Sequence, residues 1–174
     1  MKKIIFTLSI AAIASLGAWA QGQYDLAEND PVVVNGIEYG FNIRNERKKE
    51  VKEEEYNRFE ITIYTTNKSG CTKLMFPKQT LFGLENQNKL ADFDCLNATG
   101  KRLTSKSGSL SAKPFYAPYT TTIKGSDGKD VNNTVSVQVG HAFRNGESLS
   151  SNFIVIVPQG ERPNFKVSVR ELFD

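Results

Sequence analysis

Apolar and polar residues alternate with a period of two along much of the chain, and turn-forming residues interrupt the alternation about every eight to twelve positions. Ile37, Tyr39, Phe41 and Ile43 alternate with polar neighbours, and Phe59, Ile61 and Ile63 do the same. Successive side chains of a strand point to opposite faces, so this spacing predicts strands buried on one side. Val135, Val137 and Val139 repeat the pattern. Shorter apolar or β-branched runs at 74–76, 91–96, 120–123, 153–157 and 165–169 bring the expectation to about eight to ten strands. No longer stretch carries an apolar stripe at helical spacing.

The turn residues fall where such strands need them. Asn35-Gly36 follows 32–34, Asp127-Gly128 follows 120–123, and Asn145-Gly146 separates 135–143 from 153–157. Each dipeptide tolerates the positive φ that tight hairpins require. Many short antiparallel strands cannot bury their apolar faces singly, which predicts an all-β fold of two packed sheets or a barrel, with an antiparallel β-sandwich the preferred reading. Strand count and size suit an immunoglobulin-like version, although the Cys, Trp, Cys arrangement of that fold is absent. Residues 46–55 depart from the alternation, reading ERKKEVKEEE with Val51 as the single apolar member. They suit a short surface helix or, the reading preferred here, the solvated end of a long hairpin joining 41–43 to 59–63.

The first twenty residues stand apart. Lys2 and Lys3 precede an apolar stretch from Ile4 to Leu16, and Ala18, Trp19 and Ala20 form a small-x-small site before Gln21. This is the three-part pattern of a cleaved bacterial export signal, and the apolar run is short for a membrane span. The expected mature domain is 21–174, periplasmic or extracellular and not embedded in the membrane. The chain carries 22 Lys and Arg against 19 Asp and Glu, and loss of Lys2 and Lys3 leaves 20 against 19. That near-neutral balance gives no electrostatic argument for nucleic acid.

Export also places Cys71 and Cys95, the only cysteines, where a disulfide can persist. A Cys71–Cys95 bridge is the expected state, with two buried thiols as the alternative, because spacing alone does not bring two Cα atoms into range. Two Cys and the single histidine, His141, do not make a familiar metal set. Residues 125–133, GSDGKDVNN, hold oxygen ligands but fail the calcium-loop spacing, since Gly128 follows Asp127 directly and no Glu closes the loop. His141 has neither a serine elbow nor a cysteine partner in the sequence, and is read as a strand-end residue. No phosphate loop or cofactor motif is present.

One segment remains as a candidate surface. Pro114 and Pro118 bracket Phe115, Tyr116, Ala117 and end just before Tyr119, which places the run at a sheet edge or between strands. Tyr116 and Tyr119 offer large contact area at low entropic cost and are the candidate ligand-binding residues. The alternative is that these rings plug one end of the core. Three positions apart, the two tyrosines share a surface only if the backbone kinks near Pro118. The chain is expected to be a non-catalytic module binding a protein or cell-surface component, with a carbohydrate-binding module second and a small hydrolase third.

Overall fold

A computed structural model of the chain describes residues 22–51, 54–80, 83–85, 88–97, 99–126, 128–170 and 172. The expected leader, residues 1–20, lies outside these. Strands and no helix are found among the described residues: β1 (Gly22–Leu26), β2 (Val32–Val34), β3 (Ile37–Val51), β4 (Glu54–Asn67), β5 (Lys73–Met75), β6 (Lys78–Thr80), β7 (Gly83–Glu85), β8 (Lys89–Leu96), β9 (Arg102–Ser111), β10 (Lys113–Lys124), β11 (Asp130–Phe143), β12 (Ser148–Pro158) and β13 (Asn164–Val169). The thirteen exceed the sequence expectation because β1, β6, β7 and β9 fall outside the runs singled out above, and β6 and β7 are three-residue pieces too short to display an alternation.

All pairings between these strands are antiparallel. Two four-stranded sheets have the orders β1-β13-β8-β9 and β12-β4-β3-β2; a third has the order β10-β11-β5, and β6 pairs with β7. Both four-stranded sheets contribute to one hydrophobic cluster. Tyr39, Phe41, Phe59, Ile61 and Val155 enter it from one sheet, and Phe93, Phe165 and Val167 from the other. The rings of Phe41 and Phe165 meet across the two sheets at 4.6 Å, and Phe153 approaches Phe165 at 5.7 Å. Area removed from water at these positions is the main favourable term for the fold.

The Asn35-Gly36 turn has φ of 50° and 75° at its two residues, the twice-positive geometry that joins β2 to β3 in a two-residue hairpin. Residues 46–51 continue β3 rather than forming a helix, pairing from Glu46↔Phe59 out to Val51↔Glu54. The register steps between Ile43 and Asn45, so Arg44 is an extra residue and the side-chain parity reverses beyond it. The long hairpin is therefore as expected.

The expected Cys71–Cys95 bridge is not made; the two residues are separate thiols, Cys71 exposed and Cys95 buried. The reason is the side on which each lies. Cys95 alternates with Asp94 on β8 and joins the core beside Phe93, whereas Cys71 sits in the surface turn between β4 and β5, its Sγ 3.4 Å from Ser69 Oγ. A permissive compartment does not bring an inward and an outward side chain together.

Candidate functional site

β10 and β11 form a hairpin whose distal part leaves the body of the protein. At its root, Gly140, His141, Ala142 and Phe143 are buried, and 141–143 pair with β5. A Cβ at Gly140 would run into the Met75 carbonyl oxygen, so the absence of a side chain lets β11 approach β5. The pairing then steps from Phe115↔Gly140 to Tyr116↔Gln138, which makes Val139 a bulged extra residue. Beyond it the ladder runs without interruption from Tyr116↔Gln138 to Lys124↔Asp130, closed by the Gly125 amide donating to the Lys129 carbonyl at 2.8 Å.

This arm is held at its root by buried polar groups. Asn67, at the end of β4, is fully buried and its Nδ2 donates to the carbonyls of Phe143, at 2.8 Å, and Cys71, at 2.9 Å. Its Oδ1 accepts from the Ser69 amide, so the whole side-chain amide is engaged. Glu147 accepts from Lys113 Nζ at 2.6 Å and from the Arg144 amide at 2.9 Å, joining the start of β10 to the turn after β11. Partial burial pushes the Glu147 carboxyl up, but Lys113 and the Arg144 amide outweigh that and hold it below its ordinary value.

The two faces of the arm differ sharply. One presents Tyr116 and Pro118 with Thr120, Thr122, Ser136 and Gln138; Thr120 Oγ1 and Thr134 Oγ1 share a hydrogen bond of 2.8 Å across it, and Thr122 Oγ1 donates to Asn132 Oδ1 at 2.9 Å. The other is built from four cross-strand rows, Ala117/Val137, Tyr119/Val135, Thr121/Asn133 and Ile123/Val131. None of these eight residues is charged, in a chain of which 24% is charged. Tyr119 is 59% exposed, Ile123 52%, Val131 48%, Val135 44% and Val137 41%. Such an apolar sheet face ordinarily lies against another element. The half-buried strand expected at 135–139 is thus corrected: the alternation is real, but its apolar side faces solvent at Val135 and Val137.

The edge of the arm is less inviting than its face. Counting back from the Gly125–Lys129 bond, residues 117, 119, 121 and 123 exchange hydrogen bonds with β11, and 116, 118, 120, 122 and 124 turn their backbone groups to the open edge of β10. Pro118 lies among these and has no N–H to offer, which blunts strand addition there.

Tyr116 and Tyr119 are 55% and 59% exposed. Neither ring plugs the core. The backbone between them is in regular register, Ala117↔Val137 and Pro118↔Ser136, so they point to opposite faces of the arm and do not form a joint stacking platform. The irregularity lies before Tyr116, not at Pro118, because proline on an open edge costs the ladder no hydrogen bond. The residues that sequence reading did not assign to the site are Ile123, Val131, Val135 and Val137. Their signal was the Asp127-Gly128 turn between two alternating runs, which defines a hairpin without saying which side meets the core.

Two open clefts indent the described surface. One, of about 380 Å³, is lined by Arg44, Glu60, Ile61, Asn152, Phe153 and Ile154. Its carboxylate, Glu60, receives Arg58 Nη1 at 2.5 Å, and that bond holds it below the ordinary carboxylate range, poorly suited to donating a proton. The other, of about 320 Å³, lies between Asp25, Asn97, Asn164 and Lys166. His141 belongs to neither; it is buried opposite Pro114 and Met75, its Nε2 3.3 Å from Gln138 Nε2. Among the described residues no three His, Cys, Asp or Glu side chains gather in a metal-ligating group, and no helix is long and apolar enough to cross a membrane. Asp127, part of the calcium-loop comparison, lies outside the described residues. No protein-family model, curated protein or solved structure matches the chain.

Proposed function

We propose that this chain is an exported, non-catalytic binding module whose contact surface is the uncharged face of the β10–β11 arm. In this reading a leader of residues 1–20 is removed after Ala20, and 21–174 form one immunoglobulin-like sandwich acting in the periplasm or outside the cell. The observation that carries it is the exposure, on a well-anchored arm, of five large apolar residues in register on one face. Burial of that face against a protein or cell-surface component would supply favourable free energy, and the bonds at Asn67 and Glu147 limit the ordering cost of presenting it. The carbohydrate reading gains no support from Tyr116 and Tyr119, whose rings face opposite ways. Catalysis gains none from Glu60 or His141.

A photo-crosslinking amino acid placed at 135 in the producing cell tests the proposal, with the same residue at 50, on the charged hairpin, as reference. Discrete adducts at 135 and none at 50 are expected. A clean monomer at both positions would sink it.

A further inference from the structure

We infer that the partner of the arm is a second copy of this chain, laid face to face and antiparallel about a two-fold axis. The inference rests on the binding reading above and names its partner. Three features of the face point to self-association.

The first is area. The five exposed apolar side chains offer on the order of 500 Å² on one arm, near the upper limit for the largest patch on a monomer. Two such faces, with the Thr and Asn side chains between them, approach the lower end of the roughly 1,200–2,000 Å² of a stable interface.

The second is charge. A face met by its own copy meets like charges wherever it carries any, and this one carries none. Lys124 and Asp130 lie on the opposite face, at the far end of the ladder, and Lys129 lies in the turn.

The third is the order of the four rows. A two-fold axis between the second and third rows exchanges first with fourth and second with third. Ala117/Val137, the smallest row, then receives Ile123/Val131 of the other copy. Tyr119/Val135 receives Thr121/Asn133, so the phenol of one copy meets the hydroxyl and amide of the other. Large side chains oppose small ones, and the face's three polar groups find partners across the axis. The arrangement is closed, so contact through this face does not propagate into a fibre. Pro118 on the open edge disfavours the competing mode, in which β10 strands add edge to edge.

Sedimentation of the purified chain across a concentration series tests the inference. The expected result is a reversible monomer–dimer equilibrium. Val135→Glu places a charge inside the interface and should weaken the dimer about a hundred-fold or more. Asn133→Lys should do the same. Both positions are exposed in the monomer, so thermal stability of each variant should match the wild type. Because Val135 faces Asn133 of the other copy in this geometry, mixing the two monomeric variants should restore a heterodimer. A wild-type chain that stays monomeric, a dimer indifferent to both substitutions, or a mixture that fails to pair would each overturn the inference. Adducts from position 135 distinguish the two levels. A monomeric chain crosslinked to a different protein, or bound to lipid vesicles, rejects the second copy but leaves the arm as a binding surface. A monomeric chain without adducts rejects both.

Discussion

The molecule contains two long hairpins, each bulged along its length, that end in opposite chemistry. β10–β11 leaves the body at the bulge of Val139, whereas β3–β4 is bulged at Arg44 but stays in its sheet, since β4 pairs with β12 out to Tyr56↔Pro158. Beyond the bulges β3 and β11 are largely exposed, but β4 keeps Phe59 and Asn57 buried opposite Glu46 and Lys48. Past Arg44 the β3–β4 hairpin carries Glu46, Arg47, Lys48, Lys49 and Glu50, with Arg47 opposite Arg58 and Glu50 opposite Glu55. Like charges directly across a ladder weaken pairing, and a surface of this kind also repels further strands. Past Val139 the other hairpin shows a polar face and an uncharged apolar one. Protrusion by itself therefore says little about function; what separates a solvated end from a contact surface is whether one face keeps apolar residues in register after the core has stopped requiring them.

The two hairpins differ most in what their side chains contribute to folding. Phe59, at the base of β4, is fully buried, and Phe59→Ala should cost about 3–5 kcal/mol in chemical denaturation. Tyr119→Ala, on the arm, should cost no more than about 1 kcal/mol to the monomer. Similar costs at the two positions would mean that the arm packs on the body and is not a free face. Next is the arm's anchor. Asn67→Ala leaves the buried carbonyl of Phe143 without its donor and should cost about 2–3 kcal/mol, with faster amide exchange at the β11 root than in β3. Uniform exchange in both hairpins would show that Asn67 does not act on the arm in particular.

A smaller effect belongs to Glu147. Its folded pKa lies below the ordinary 4.5, so its contribution is fully present above that pH and is lost as pH falls through the folded value. The carboxylate is largely covered but lies near the surface and pairs with an exposed lysine, so Glu147→Gln should cost no more than about 1 kcal/mol at neutral pH. Below the transition the variant and wild type should converge; a gap that persists in acid would point to packing instead of charge. The least effect on stability is expected from Cys71→Ser, within about 0.5 kcal/mol. The Ser69 hydroxyl, and after it the Lys73 ammonium, hold the Cys71 thiol below its ordinary value, so iodoacetamide should modify Cys71 well before the buried Cys95. Recovery of the two as one linked peptide would restore the disulfide expected from sequence.

How much of this was legible beforehand depends on the range of the interaction. Local chemistry was enough for the all-β class, because alternation at Ile37, Tyr39 and Phe41 and again at Phe59, Ile61 and Ile63 follows from backbone geometry alone. It was enough for the Asn35-Gly36 turn, where the required φ values suit those two residues, and for the charged hairpin, since a ten-residue segment with one apolar member has nothing to bury. It placed the proline-bracketed tyrosines at an edge, again because a missing N–H is a local fact. The alternation of Val135 and Val137 was equally visible, but a period of two says only that a strand has an apolar side, not what that side meets. The bulge at Val139 decides that, shifting the register by one residue where β11 leaves the core, and a bulge depends on the partner strand as much as on its own sequence. The separation of Cys71 from Cys95 is of the same kind. One thiol faces the core and the other faces water, and which residue does which is set by long-range packing that no single segment of sequence contains.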